Sequence, residues 1–397
     1  MQFRTLFAVG VFGFLLCSPA IGDEPLVAEP QIESVEAEAV SEETLLANAR
    51  VREVIAAMND AIEAGDVGAY MSRIDPSHTV FLTEQRAWIT DSILEGVQVI
   101  EYAFLEEPGV AERANDELVA SIGIRWSLNG DGPLQGDEPW NMVYMARFVP
   151  LGSVEGGWVF AGPHWHFDLY DEATDVRVLA TENHEANAQL ALERAPEILT
   201  MVEEDFGKDL STELVIKVYK KMKSLQASIS PAYTDPLAGW NEPGESIKIL
   251  GRTRVSKASL DPLLAHEIGH AVSFEFGPEI NKAPWWTLEG IAEVAAGLFR
   301  DSWESKNRRI TIMAKKDNLR EWEQLADFKG EATDHAMHVY LQGWSMIDYI
   351  DRTFGKDQRN AWFSELGTGA TLDQASMRTL GLSFEELDAQ WYQSLMD

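Results

Sequence analysis

At 397 residues the chain exceeds the roughly 100 to 200 residues of one ordinary domain, which points to two folded units. Hydrophobic residues make up 45% and charged residues 24%, with 13 Trp, a composition that excludes a disordered chain. The formal net charge of −33 weighs against a nucleic-acid partner, because phosphates must be met by Lys and Arg; a solvated acidic surface is the simpler expectation.

Met1 to Gly22 carries Arg4, an apolar run from Leu6 to Leu16 and a small-residue ending from Ser18, the pattern of a secretory signal. The mature protein is therefore expected to be secreted or periplasmic. The apolar run is short for a bilayer, and no other window reaches the roughly 20 apolar residues of a transmembrane helix. Cys17 is the only cysteine and lies inside this segment, where bulky Leu16 disfavours lipid attachment. The mature chain thus has no disulfide and no thiolate, so any metal must be held by His and carboxylates.

Residues 23–43 hold Glu, Ala, Val and Pro without a basic residue and read as an acidic linker. From Thr44 to Ala64, the apolar residues Leu45, Ala49, Val51, Val54, Ile55, Met58 and Ile62 recur at helical spacing. Leu118 to Leu128 alternates as a strand, and Trp140 to Val149 and Gly157 to Leu169 read as further strands. A helix followed by antiparallel strands makes residues 44–172 an α+β domain. The pattern from Ala61 through Gly65-Asp-Val-Gly68 to Tyr70, with Gly157-Trp158, resembles the cone-shaped nuclear-transport-factor-like fold. Such domains hold pockets or dimer interfaces and also serve as inert modules, so the resemblance implies no chemistry.

The second domain is expected over 175–397. Glu185 to Phe206 has a helical pattern, Glu213 to Lys220 and Ser246 to Leu250 read as strands, and the chain after Trp303 is mostly helical. Ser383 and Glu386 form a capping box for the last helix.

His266-Glu267-Ile-Gly-His270 is an HExxH pattern inside an apolar-periodic stretch, with Asp261 expected as N-cap and Pro262 at the first helical position. Residues four apart share a helix face, so the two imidazoles converge while Glu267 flanks them. Two nitrogen ligands at this spacing suit Zn²⁺, which in a catalytic site needs one more protein ligand and an open position. With only eight histidines, the chance of such a motif arising at random is about one or two in a hundred. Eighteen residues separate His270 from Glu289, and a second helical stretch places Glu289 and Glu293 four apart on one face.

These residues resemble the gluzincin zinc peptidases, closest to families with HExxH, eighteen residues and then Glu-Gly. The likeness extends to Val339-Tyr340-Leu-Gln-Gly343, to the apolar helix after it, and to Leu380 through Leu387 with Trp391, so that it covers roughly Asp175 to Asp397. It implies an α+β peptidase domain with a small sheet, an active-site helix and a mainly helical C-terminal part. It also implies one zinc ion held by His266, His270 and Glu289, and Glu293 orienting a ligand histidine. Glu267 would be the general base, and Tyr340 a donor to the oxyanion. His335 and His338 are the alternatives to Tyr340. Leu288 stands where aminopeptidase relatives carry Asn, and no Gly-Ala-Met-Glu-Asn-like segment is present, so an endopeptidase acting on peptides or proteins is expected. Ser246 to Leu250 stands where related enzymes place an edge strand that pairs with substrate, with a buried strand as the equally weighted alternative.

His164, His166 and Asp168 would share one strand face; histidines beside Trp165 there read as packing or hydrogen-bonding groups, with a second metal or a pocket as the lesser alternative. His78 and His184 stand alone. No Gly-x-Ser-x-Gly elbow or phosphate-binding Gly-Lys-Ser/Thr loop occurs, which removes serine-hydrolase and nucleotidase chemistry. A binding protein on a vestigial peptidase scaffold and a zinc-dependent hydrolase of non-peptide esters remain the alternatives. Retention of Glu267, which only catalysis requires, argues against the former.

Overall fold

A computed structural model describes residues 41–94, 97–105, 111–112, 117–128, 140–152, 157–300, 304–328 and 330–397. The export signal expected over 1–22, with Cys17, and nearly all of the acidic segment lie outside the described residues. The chain divides into two compact units. No helix among the described residues is long and apolar enough to cross a membrane.

One unit comprises the described residues up to Asp75 together with residues 98–164. Helix α1 (Glu42–Glu63) starts where the Ser41 hydroxyl accepts from the Thr44 amide at 3.1 Å, and Glu42 and Glu43 in its first turn favour the positive helix end. It buries Val51, Val54, Ile55 and Met58 of the stripe its spacing predicts, while Leu45 and Ala49 near its start are exposed. Helix α2 (Val67–Met71) follows, capped by Asp66. Strands β1 (Val97–Leu105), β2 (Ala111–Glu112), β3 (Leu118–Leu128), β4 (Met142–Pro150) and β5 (Trp158–Pro163) form a sheet in the order β1-β3-β4-β5, with β2 on β3. The β3–β4 and β4–β5 pairs are antiparallel. Strand β3 is buried on both faces from Leu118 to Ile124, and its second face carries the small residues Ser121 and Gly123. A Cβ on Gly123 would lie 2.5 Å from the Trp140 ring.

The other unit takes residues 76–97 and 165–397. Its sheet contains β6 (Phe167–Asp171), β7 (Val176–Ala180), β8 (Leu214–Tyr219), β9 (Gly239–Trp240) and β10 (Ile247–Leu250) in the order β6-β7-β8-β10-β9. The β7–β8 and β8–β10 pairs are parallel, while β6 and β9 run antiparallel at the two edges. Phe167–Asp171, expected as the last strand of the preceding domain, pairs instead with Val176–Ala180. Strand β10, for which an edge and a buried place were both open, is interior because β9 covers it.

Helix α4 (Glu185–Phe206) crosses between β7 and β8 and buries Ala188, Ala191, Ala195, Ile198, Val202 and Phe206. It ends at Gly207, whose left-handed φ of 61° and N–H to Glu203 O close the last turn. Helix α5 (Met222–Ile229) follows β8. Then come α6 (Lys257–Ser273), α7 (Trp285–Gly297), α8 (Glu304–Lys315), α9 (Ala336–Phe354), α10 (Lys356–Gly367), α11 (Leu372–Thr379) and α12 (Phe384–Met396). The capping box at Ser383 and Glu386 is present. Helix α6 starts five residues before the expected Pro262, at a Ser256–Ser259 capping box. Asp261 does not cap it but is buried in a salt bridge to Arg194 at 2.9 Å.

Helix α3 (Thr79–Leu94), which the sequence pattern assigns to the first domain, belongs to this second unit. The reason lies in β8, which reads Leu-Val-Ile-Lys-Val-Tyr and is buried throughout. Ile216 and Val218 join the apolar core, while Lys217 lies beside Lys248 of β10 on the other face. Two buried ammonium groups require a counter-charge. Glu84 of α3 supplies it, bonding Lys217, Lys248 at 3.2 Å, the Ser246 amide at 3.2 Å and the Ser246 hydroxyl. Glu245 completes the cluster with Lys248 at 2.8 Å. Trp88 adds an indole N–H to Ala227 O at 2.9 Å.

Burial pushes the Glu84 carboxyl up, but Lys217 and Lys248 outweigh it and bring it down to about 2. Burial likewise opposes the charge on Lys248, yet Glu245 and Glu84 hold its ammonium above the ordinary value. Because the folded value of Glu84 is depressed, its stabilisation is complete above the unfolded value near 4.5 and is lost as pH falls toward 2. Glu84→Gln should therefore lower unfolding free energy by on the order of 3 kcal/mol at neutral pH, with the gap to wild type closing between these two values. Urea titrations across that window test this, and a pH-independent gap would show that the carboxylate charge is not what fastens α3.

Candidate metal centre

Helix α6 is the innermost helix of the second unit, buried at nearly every position from Leu260 to Ser273. Its motif residues are therefore interior groups: His266 is 1% exposed, and Glu267 and His270 are fully buried. The Gly269 position between the histidines sets the next step. A Cβ there would meet Ala295 Cβ at 2.7 Å and Ala292 Cα at 3.2 Å, so only glycine lets α7 lie this close. That approach brings Glu289 and Glu293 of α7 to the two histidines.

His266 Nε2 lies 3.2 Å from His270 Nε2 and 3.2 Å from Glu289 Oε2, and the third side, His270 Nε2 to Glu289 Oε2, is 3.6 Å. Among the described residues this is the one His, Cys, Asp and Glu set close enough to hold an ion. A tetrahedral ion with bonds of about 2.0 to 2.2 Å spaces its ligand atoms about 3.3 Å apart, so the triangle fits Zn²⁺ as it stands. Two imidazole nitrogens and one carboxylate oxygen also match the ligand chemistry of zinc.

The groups around this triangle fix its members. His266 Nδ1 is 3.1 Å from Glu293 Oε1, and Glu293 is in turn gripped by Arg300 at 2.6 Å and by Lys306. Burial raises the Glu293 carboxyl, but Lys306, the His266 hydrogen bond and Arg300 hold it well below the carboxylate range. It is thus an anion that keeps the His266 Nδ1 proton in place. Trp285, one turn before Glu289, donates its indole N–H to Glu289 Oε1 at 2.8 Å and leaves Oε2 to face the histidines. Against burial, the bonds to Glu289 and Glu293 lift His266 to about 9, while burial draws His270 below its ordinary value.

Glu267 points elsewhere. Neither of its buried carboxylate oxygens has a hydrogen-bond partner among the described residues, and burial raises it to about 8 against the pull of His266. The edge strand passes directly over it, since a Cβ on Gly239 would lie 2.2 Å from Glu267 Oε1. Tyr233, in the loop before that strand, meets Trp240 edge-on at 5.2 Å and has a buried hydroxyl without a partner among the described residues. Burial, then Asp235 and Glu289, push that hydroxyl above its usual value.

Tyr340 of α9 lies with its ring 6.0 Å from that of His266 and 6.2 Å from that of Trp285. A second glycine contact places it there. A Cβ on Gly343, one turn along α9, would fall 2.2 Å from Trp286 O of α7. His338 faces away, its Nε2 3.1 Å from Asn318 O, and His335 packs against it with ring centres 5.9 Å apart. His164 and His166 do not share a strand face, because β5 ends at Pro163 and β6 begins at Phe167. Asp168 pairs with Arg177 at 2.9 Å. Sequence reasoning missed Trp285, Arg300, Lys306, Gly239 and Tyr233. Of these, only Trp285, four residues before Glu289, carried a signal in its spacing.

No family model matches the chain, and no curated protein matches it. Among solved structures it is similar to a mutant M1 zinc metallopeptidase from Deinococcus radiodurans bound to a Tyr-Ser-Ala substrate, with 13% identity and a TM-score of 0.39. The match covers 75% of this chain and 63% of that one. A second structure of that mutant gives 14% identity and a TM-score of 0.40 over 76% of this chain and 72% of the other. Likeness at this level leaves the chemistry to be argued from the side chains.

Proposed function

We propose that the chain is an exported zinc-dependent peptidase, most simply an endopeptidase acting on peptides or proteins. The observation that carries this reading is the donor triangle of His266, His270 and Glu289 beside the buried, unpartnered Glu267. His266, His270 and Glu289 would hold the ion, and Glu293 would orient His266. When bound, zinc supplies Lewis acidity that polarises a carbonyl and lowers the pKa of water to about 7.

The remaining steps belong to the protein. Glu267, a carboxylate made more basic by burial, takes a proton from the attacking water and passes it to the leaving amine. Tyr340 donates a hydrogen bond from its hydroxyl to the carbonyl oxygen as negative charge develops there. The edge strand Gly239–Trp240, directly over Glu267, offers backbone groups to an extended peptide in place of the interior strand expected from the sequence. The expectation of an endopeptidase is supported by Leu288, a fully buried side chain that offers no polar group to a free amino terminus. Export is supported by the pattern of Met1 to Gly22, and the absence of a nucleic-acid partner by the charge of −33.

Incubation of the mature protein with a diverse peptide library, with and without chelator and read by mass spectrometry, tests the activity directly. Chelator-sensitive cleavage is expected, and no cleavage at any zinc loading would overturn the reading. The mature chain should bind about one zinc, and Glu289→Ala should sharply weaken it. Stoichiometric zinc in a His266→Ala, His270→Ala double variant would place the metal elsewhere. Glu267→Gln should keep fold and zinc yet lose nearly all turnover, and wild-type rates in that variant would rule out its role as base. Tyr340→Phe should lower kcat by about 10² to 10³ with KM and zinc content near wild type, since its contact is made mainly in the transition state. A kcat that survives this change but collapses in His335→Ala or His338→Ala would assign the donor to a histidine.

A further inference from the structure

The chain is strongly acidic, yet seven of its 32 Lys and Arg residues fall between residues 300 and 320, against three acidic ones. Part of this basic island has an internal task, because Arg300 and Lys306 hold Glu293. The rest does not. Arg308, Arg309 and Lys316 are exposed, and none forms an ion pair among the described residues. Together with Ser305, Asn318 and Met337 they line an open cavity of about 340 Å³.

Two helix spacings place this cavity beside the metal centre. On α8, Lys306 and Arg309 are three residues apart and share a face, so the helix that holds Glu293 also presents Arg309 to the cavity. On α9, Met337 and Tyr340 are likewise three apart; Arg309 Nη2 contacts Met337 Sδ, while Tyr340 packs on His266. Asn318, on the cavity wall, takes the His338 ring at 3.1 Å and ties the wall to the same helix. Met337, on the wall of this cationic pocket, thus stands about one helical turn, roughly 5 Å along α9, from the tyrosine that packs on His266.

We propose that this pocket is the subsite that receives an acidic side chain of the peptide substrate, Asp or Glu, close to the scissile bond. The inference rests on the peptidase reading and specifies its substrate. Three cations without an ion-pair partner among the described residues, in a chain of net charge −33, form a local positive field that a carboxylate side chain complements. Because these charges are exposed, salt screens them and the preference should weaken as ionic strength rises. Exposed apolar atoms of Ile312 and Met337 in the same wall suit the methylenes of a Glu side chain.

The test uses the full mature chain carrying Glu267→Gln, so that binding is read without turnover, and two fluorescein-labelled peptides that differ only in Glu or Gln at one position. Fluorescence anisotropy at low salt should show the Glu peptide bound about fivefold tighter, with the difference shrinking at high salt. Adding Arg309→Gln, or separately the exposed Lys316→Gln, should weaken the Glu peptide and leave the Gln peptide unchanged. Equal binding of the two peptides, or a preference that survives both changes, would overturn the subsite. Wild-type cleavage of a peptide library separates the two levels. Chelator-sensitive cleavage with no acidic preference removes the subsite alone, whereas no cleavage and no binding removes the peptidase reading with it.

Discussion

Everything at the candidate metal centre depends on how closely α7 can approach α6. With Gly269 between the two histidines, the helices come together until an added Cβ would lie 2.7 Å from Ala295. The distance matters because a metal triangle tolerates little error; three ligand atoms must stand about 3.3 Å apart, and a helix displaced by one side chain would lose Glu289. The same device operates on the far side of α7, where Gly290 and Gly343 bring α9 close enough to set the Tyr340 ring on His266. Small residues at two helix contacts thus do for the site what its ligands cannot do for themselves.

Placing ionisable groups at the centre of a packed helical core creates a charge problem, which is solved by layers. Glu289 faces the histidines, Glu293 stands behind His266, and Arg300 with Lys306 stands behind Glu293. Each ion is covered by the next, so the outermost cations sit where the core meets solvent. The sheet uses the same logic, with Glu84 of α3 compensating Lys217 and Lys248 and fastening Ser246 at the start of the β10 strand. That strand carries the Gly239–Trp240 edge pair, so a helix from far earlier in the chain steadies the backbone lying over Glu267. Glu267 is the exception. It is buried without compensation, and such an arrangement is costly unless the group has work to do.

The basic island between residues 300 and 320 follows from the same layering. Its inner members are consumed by Glu293, and Arg308, Arg309 and Lys316 form no ion pair among the described residues. A site whose structural counter-ions lie on one side also acquires a positive rim on that side, and this rim is where an acidic residue of a bound peptide would find its partner.

The sequence alone determined the local features. Helix α4 spans the expected Glu185–Phe206 and β3 the expected Leu118–Leu128, because apolar periodicity over 11 to 22 residues outweighs other local signals. It also placed His266 and His270 on one face and paired Glu289 with Glu293, since residues four apart must share a face. Where local rules met a longer-range partner, the partner won. Asp261 is an excellent cap in isolation but answers Arg194, so α6 begins at Ser256 instead. Thr79–Leu94 has no local mark of the unit it joins, because its allegiance is set by two lysines more than 130 positions along the chain. The tertiary structure alone decided that Trp285 stands behind Glu289, that Arg300 and Lys306 stand behind Glu293, and that Gly239 forms the edge over Glu267. These outcomes depend on distances between elements remote in sequence, which packing fixes and no local pattern encodes.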